Sequence, residues 1–556
     1  MSKTIPASKD RVTAAESIVE CIRLENIQAA FCVPGESYLP VLDALYDADD
    51  VKLVSARHES GAAFMAEGYA KSTLKPGVVF ATRGVGAANL SIGVHTAYQD
   101  STPMVVFLGQ VHRDFKGREG FQEVDLEAFF RPITKWATEV EDPRRMVEIV
   151  QRALRVAQSG RPGPVVVSLP EDVLAVETDV YYGKAFHKSA PRPSKNEISH
   201  VTEVLKESKQ PVLIAGGGVK CSRAEDALVL FAEKYNIPVI AAFRRHDVFP
   251  NDHKQYAGHL GLGTNPEILR TIHEADTILA FGTRLSEVTT QDYQIISRDQ
   301  QLIHIDIEPD MIGKVYTPEI GIVSDLHEAL SDLLTMELPA SWSDWSRIAN
   351  ERYVSASRLQ VSEVDILNKQ IMAYLAERLP ANTLLTNDAG NFAGWLHTFY
   401  PFKEKHTYVG PTSGAMGYGM PAALGAKLAF PDKTVVALSG DGGFMMTFQE
   451  LETAVRNNIP VICLVFNNEM YGTIRMHQEK HYPHRVVGTD LGSVSFADLA
   501  KSVGAKGYRV HDMDEFAKGF DSAMKERFPA VIEVMTSKED ISVTSTISDI
   551  RKKKGT

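Results

Sequence analysis

VVALSGDGGFMM (435–446) and ICLVFNN (462–468) decide how this chain is read. Each starts as an unbroken apolar run and stops at a polar turn. Continuous apolar runs bounded by glycine mark strands buried on both faces, the pattern of a parallel sheet with helical crossovers. In such a sheet the C-terminal strand ends share one edge, and ligands bind outside it. Gly440-Asp441-Gly442-Gly443 leaves the first strand there, and Asn467-Asn468 leaves the second. An acid and an amide at one edge offer two oxygens to a hard cation such as Mg²⁺, which fills its other positions with phosphate and water. Gly442 and Gly443 would let backbone N–H groups approach phosphate oxygens, and a helix predicted over 447–457 would turn its positive end toward them. A GDG turn alone occurs in many α/β loops. GDG after one strand and NN after another, with residues 443–466 between them, is far more specific.

The same strand pattern runs outward through the chain, in VVFAT (78–82), MVVFLG (104–109), VVVSL (165–169), VLIAG (212–216), TILAFG (277–282) and LIHIDI (302–307). Met146, Ile149, Val150, Ala153 and Ala157 form one stripe of a helix over 144–158. Two stretches read as linkers, AFHKSAPRPSKN (185–196) and LPASWSDWSRIANERY (338–353). They divide the 556 residues into three domains, 8–184, 195–340 and 360–540, in accord with the usual size of a folding unit. The first and last share a pattern of strand, glycine-rich turn and helix.

Charged residues are 23% and the net charge is −12, which excludes nucleic acid and anionic membrane as main partners. Cys21, Cys32, Cys221 and Cys463 show neither C-x-x-C nor zinc spacing and fit a reducing compartment. MSKTIPASKDRV lacks an apolar core, and no run of 18 apolar residues occurs, so a cytoplasmic location is expected, without signal or membrane span. The terminal RKKKGT reads as a frayed end.

The motifs together resemble the acetohydroxyacid (acetolactate) synthase-like branch of thiamine diphosphate enzymes. The resemblance covers nearly the whole chain. It rests on RHESGAAFMAEGYAKS (57–72), TRGVGAANLSIGVHTAYQDSTPMVVFLGQV (82–111), FQEVD (121–125), SGRPGPVVVSLPEDV (159–173), PVLIAGGGV (211–219), FGTR (281–284), HIDIEP (304–309), SGAMGYGMPAALGAK (413–427) and NNEMYGTIR (467–475). It implies three flavodoxin-like α/β domains with parallel sheets: pyrimidine-binding, central and diphosphate-binding. It also implies sites shared between the first domain of one subunit and the last of another, hence a homodimer at minimum and a homotetramer by pairing.

On this resemblance Glu59 is the catalytic carboxylate, hydrogen-bonded to the aminopyrimidine so that the ring's imino nitrogen can act as base. Small residues in AAFMAEGYA would let its helix pack against the cofactor ring. Met416 props the cofactor in a bent shape, which is catalysis by positioning, and the Gly414 carbonyl accepts from the 4′-amine. Asp441, Asn468 and the Met470 carbonyl hold Mg²⁺. Gly442, Gly443, Tyr471, Gly472 and Thr473 bind the phosphates with Asn391; Asp388 or Asn391 alternatively only caps the helix starting near Phe392. Gln110, Phe121 and Gln122 face the substrate, Gln110 as a catalytic candidate able to orient a carbonyl. Arg113 and Arg118 read as surface residues.

Three departures bear on substrate. His477 stands where acetohydroxyacid synthases have a tryptophan favouring larger acceptors. VPGESYLP (33–40) puts Glu36 and Ser37 where the family has a glycine-rich stretch. FGTR runs into LSEVTT (285–290) rather than the residues that help hold FAD. FAD is therefore left open, with Arg284 and Gly216–Gly218 for it and the missing G-x-G-x-x-G against. The expected activity is a thiamine diphosphate- and Mg²⁺-dependent carboligase or decarboxylase taking a small 2-oxo acid such as pyruvate and a carbonyl acceptor. Its rivals are benzaldehyde lyase-like, aldehyde-forming 2-oxo acid decarboxylase and sulfoacetaldehyde acetyltransferase activities. From other classes, a dinucleotide-dependent oxidoreductase and a non-catalytic homologue are the alternatives.

Overall fold

The computed structural model describes residues 11–338, 341–357 and 366–553. The expected boundaries at 8, 340 and 360 lie outside the described residues, as do the last three residues of RKKKGT. Its first three end a helix, Ile547–Lys553, instead of fraying.

Three six-stranded parallel sheets carry the described chain. The first is built from Ala29–Cys32, Lys52–Ser55, Gly77–Ala81, Met104–Gln110, Trp136–Glu139 and Pro164–Pro170; the last from Leu384–Asn387, Tyr408–Val409, Val435–Gly440, Ile462–Asn467, Lys506–Val510 and Ala530–Met535. Numbered within each domain, both have spatial order 2-1-3-4-6-5. The shared pattern of the first and last thirds is thus a shared topology, and its first four strands follow the flavodoxin order. The central sheet differs. Its strands Pro211–Ala215, Val239–Ala241, Tyr256–His259, Thr277–Phe281, Gln301–Asp306 and Ile320–Val323 lie in order 3-2-1-4-5-6, the order of dinucleotide-binding folds rather than of flavodoxin. Strand order is set by which edge each crossover returns to, which apolar runs do not record.

In every sheet the order reverses beside the first strand, where the loops of two adjacent strands part and leave a crevice. In the first domain these are the loops after Cys32 and Ala81, in the central domain those after Ala215 and Phe281, and in the last those after Asn387 and Gly440. This rule places one crevice in each domain.

Two sequence expectations change. Residues 341–353 are no linker: they carry most of the helix Ser343–Ser357, and Trp345 in its first turn and Trp342 just before it are buried in the central core, with indole N–H groups donating to Pro211 O (2.9 Å) and Ser208 O (3.1 Å) respectively. Two tryptophans anchor an otherwise polar helix, a pattern too sparse to read as amphipathic. The single helix over 447–457 is two, Asp441–Thr447 and Glu450–Arg456. Each serves a different neighbour. The Thr447 hydroxyl donates to Gly417 O (2.7 Å), while the Glu450 carboxylate receives the Arg57 and His58 amides of the first domain.

Small residues in the helix Glu59–Thr73 serve helix packing. This helix packs on the helix Gly419–Ala429, where a Cβ on Gly68 would stand 2.3 Å from Ala422 O and one on Gly425 2.0 Å from Met65 O. Backbones approach so closely that only glycine fits. One apolar core, from Phe31 and Val79 to Leu424 and Val465, runs through both domains.

Candidate active site

In the last domain, Gly440 pairs with Phe466 across the adjacent strands, so Asp441 and Asn467 leave the sheet side by side. The Asp441 Oδ1 accepts the Gly442 N–H at 2.8 Å. Its Oδ2 is buried with no partner, and burial pushes the carboxyl above its ordinary range. The backbone N–H groups of Asn468, Glu469 and Met470 lie near the carboxylate and partly offset this, but none completes a hydrogen bond to Oδ2. A buried carboxylate oxygen without a donor is costly unless a cation or proton meets it, so this residue fits a metal ligand. Of the two asparagines, Asn467 is structural: its amide donates to Glu533 Oε1 (2.8 Å) and its oxygen accepts the Glu469 N–H (3.1 Å). Glu469 sits at φ +54°, bending the chain so that Met470 bridges Asp490. Asn468 is half-buried and its amide lies 3.5 Å from where a Cβ on Gly472 would stand. Among the described residues no three His, Cys, Asp or Glu side chains are arranged to hold a metal. A site of one carboxylate, one amide and one backbone carbonyl does not need them.

Gly442 and Gly443 are explained by protein neighbours. A Cβ on Gly442 would stand 2.6 Å from the Tyr471 ring, and one on Gly443 2.5 Å from Asp388 Oδ2. Asn391 ties Thr473 (2.9 Å, accepting its hydroxyl) to the Ile541 carbonyl (2.8 Å), fixing the start of the helix Gly472–His481. It gives the helix Ala393–Phe399 no side-chain cap. Met416 is half-buried between Gly414 and Gly417, both at positive φ (+70° and +81°).

The first domain presents its own cluster. Glu59, at the first turn of its helix, is 8% exposed and accepts the Asn89 amide at 2.9 Å. A Cβ on Gly86 would meet both Glu59 Oε1 and Thr82, and Thr82 in turn bonds Ser37 Oγ (2.9 Å). Glu59, Ser37 and the 82–86 turn therefore line one crevice. Glu36 is exposed and pairs with Arg83 (3.1 Å), a buried guanidinium that also holds Glu171 (2.5 Å). Gln110 differs from its expected role. Its amide donates to Val124 O (2.8 Å) and its oxygen accepts the Val111 N–H (2.9 Å), so both ends brace the 110–124 loop rather than stand free for a carbonyl. Phe121 on that loop is 71% exposed, and Gln122 holds a positive φ of 65°. His477 is exposed and stacks with His481. Arg113 pairs with Asp172 (2.6 Å) at the surface. The Glu59 hydrogen bond stays within the first domain, and the Asp441 cluster within the last.

At the central crevice lies a cavity of about 390 Å³ lined by Gly216–Gly218, Arg161, Arg245, Arg284 and Asp306, among others. Two of these glycines are required by protein packing. A Cβ on Gly216 would stand 2.2 Å from Gly282 O and one on Gly218 2.6 Å from Gly282 Cα, so two turns pack backbone to backbone. The cavity's character comes from arginines. Burial, with Arg161 and Arg245 close by, pushes the Arg284 guanidinium down to about 10.

Comparison with known proteins identifies the three domains. Three family models match in order: the N-terminal thiamine pyrophosphate (diphosphate)-binding domain over 12–129, the central domain over 198–333 and the C-terminal binding domain over 388–534. The chain belongs to the thiamine pyrophosphate enzymes. Within them it is acetolactate synthase-like, a carbon–carbon bond-forming enzyme dependent on that cofactor. It is 34% identical over 540 residues to a probable acetolactate synthase large subunit of Methanocaldococcus jannaschii, covering 94% of this chain and 91% of that one. It is 32% identical to the acetolactate synthase large subunits of Haemophilus influenzae (93% and 92% covered) and Lactococcus lactis (95% and 93%).

Three residues around these sites escaped sequence reading, Asn89, Arg83 and Glu450, and Asp388 was read only as a possible helix cap. Asn89 follows Glu59 by 30 positions in chain order, and only the return of the next helix brings them together.

Proposed function

We propose that the chain is a Mg²⁺-dependent carboligase that takes pyruvate, or a similarly small 2-oxo acid, as donor and joins it to a carbonyl acceptor. When bound, thiamine diphosphate supplies the electron sink that lets a 2-oxo acid lose CO₂. Asp441, Asn468 and the Met470 carbonyl hold the metal, and the buried, unpartnered Asp441 Oδ2 is the observation that carries this reading. The amides of Gly442 and Gly443 and the Tyr471-Gly472-Thr473 turn, braced by Asn391, receive the phosphates. Met416 would support the cofactor between its two ends, and the Gly414 carbonyl would accept from its amine. Glu59, oriented by Asn89, would hold a proton for the cofactor's pyrimidine ring. Glu36, Ser37, Phe121, Gln122 and His477 border the substrate. Gln110 shapes that border through the loop it braces.

Glu59 and Asp441 sit in separate clusters of one chain, which supports a site completed by a second copy. Exposed Val85 (53%) and Ile92 (41%) near Glu59, and Met446 (48%) and Ile474 (55%) near the metal edge, are the apolar surface such a copy would cover. A homodimer paired into a homotetramer, working in the cytoplasm, follows from this reading. The cation-rich central cavity suits an anionic dinucleotide, FAD in this family. The experiment is pyruvate turnover with added thiamine diphosphate and Mg²⁺, with product identification for wild type and Glu59→Gln. Acetolactate or a mixed acyloin from the wild type alone supports the proposal; equal turnover by Glu59→Gln sinks it.

A further inference from the structure

Asp388 leaves the strand Leu384–Asn387 at the crevice of the last domain and is 1% exposed. Its carboxylate faces two loops at once. On one side it accepts the Gly417 N–H (3.0 Å) and the Tyr418 N–H (3.3 Å). On the other, a Cβ on Gly443 would stand 2.5 Å from its Oδ2, so it lies directly against the Asp441-Gly442-Gly443 turn. Its own backbone is held too: its N–H donates to Leu438 O (2.9 Å), and its carbonyl accepts from Asn387 Nδ2 (2.7 Å) and from buried Arg244 of the central domain (3.4 Å). The Gly417 peptide is pinned from both ends, its N–H by Asp388 and its carbonyl by Thr447. Met416 immediately precedes it.

We infer that Asp388 is a positioning residue that sets the distance between the two halves of the cofactor cradle, the Met416 loop and the diphosphate–metal turn. This rests on the proposed roles of Met416 and Asp441. A cofactor held at both ends in a bent shape reacts only if those ends are correctly spaced, and a shift of about 1 Å can cost about 100-fold in rate. A carboxylate fits because two amides from one loop need an acceptor, while the glycine opposite leaves room for it. An amide of the same shape would turn one N–H₂ toward those donors and push the loop away.

The test uses full-length wild type, Asp388→Asn, Met416→Ala and the double variant, each with saturating thiamine diphosphate and Mg²⁺. The readouts are cofactor affinity, kcat, and hydrogen–deuterium exchange at the cofactor C2, which reports the geometry of the bound ring without any substrate. Asp388→Asn is expected to slow exchange and lower kcat about 10- to 100-fold while affinity falls about threefold or less. The double variant should exchange no more slowly than Met416→Ala, because both changes act through one loop. Should Asp388→Asn not fold, Asp388→Ser, which keeps an acceptor in the space, is measured in the same way. Unchanged exchange in the folded variant, or fully additive effects, overturns the inference. Failure of the wild type to bind thiamine diphosphate would instead overturn the functional reading beneath it.

Discussion

The turn Gly440–Gly443 of the last domain and the turn Gly216–Gly218 of the central domain look alike in sequence. Each follows a buried strand, each lies beside a point of reversed strand order, and each invites the reading that bare backbone meets phosphate. In three dimensions the glycines of both are consumed by protein: Tyr471 and Asp388 fill the first, and Gly282 and Arg245 the second. What separates them is the residue between the glycines. Asp441 brings a buried oxygen with no donor, an electrostatic debt that a cation settles. The central turn brings no acid, and its cavity takes its charge from arginines on other elements. A glycine-rich turn thus reports close approach, and the unpaired polar atom beside it reports what approaches.

That contrast can be broken most sharply at Asp441. Asp441→Ala should lower metal-dependent turnover by more than the about 100-fold typical of losing an outer-shell metal partner, with metal binding measured directly by titration calorimetry. The matching change in the central turn, Gly216→Ala, should leave metal affinity intact and lower the Tm. Its Cβ meets an immovable carbonyl at 2.2 Å, an overpacking worth about 1–3 kcal/mol. Glu59→Gln comes next, with an expected loss of about 100- to 10,000-fold in kcat and near-normal cofactor affinity; equal losses in both would make Glu59 a binding residue only. Arg284→Ala should weaken binding of an anionic dinucleotide to the central cavity about tenfold without changing thiamine diphosphate affinity, read by flavin or nucleotide fluorescence. The smallest effect is on pH. Burial pushes the Asp388 carboxyl up to about 7 from its ordinary 3.8. The folded state therefore holds this proton over a range where the unfolded chain has released it. The stability it contributes is complete below about pH 4 and is lost as pH rises through about 7. Between pH 5 and 7.5 the wild type should lose a few degrees of Tm relative to Asp388→Asn; a constant gap would show that the carboxyl titrates normally.

Most strands were legible because a strand buried on both faces has to be a continuous apolar run, and the runs at 435–440 and 462–467 coincide with strands residue for residue. The helix Ser343–Ser357 was not, because two tryptophans do the anchoring that a full apolar stripe usually does. The position of Asp441 and Asn468 at the sheet edge was legible, since local chain direction alone places them there. Gln110 was misread because its type fits a substrate contact equally well, and only the 110–124 loop folding back shows its amide already engaged.

The order of motifs along the chain thus determined the family, the cofactor and three parallel α/β domains, because each motif is short and its chemistry is carried by neighbours in sequence. Tertiary structure alone decided the different strand order of the central sheet, the partner each glycine makes room for, and the convergence of Asp388, Gly417 and Gly443 on one point. Those depend on where crossovers return and how closely backbones pack, distances that residues far apart in the chain share only once it is folded.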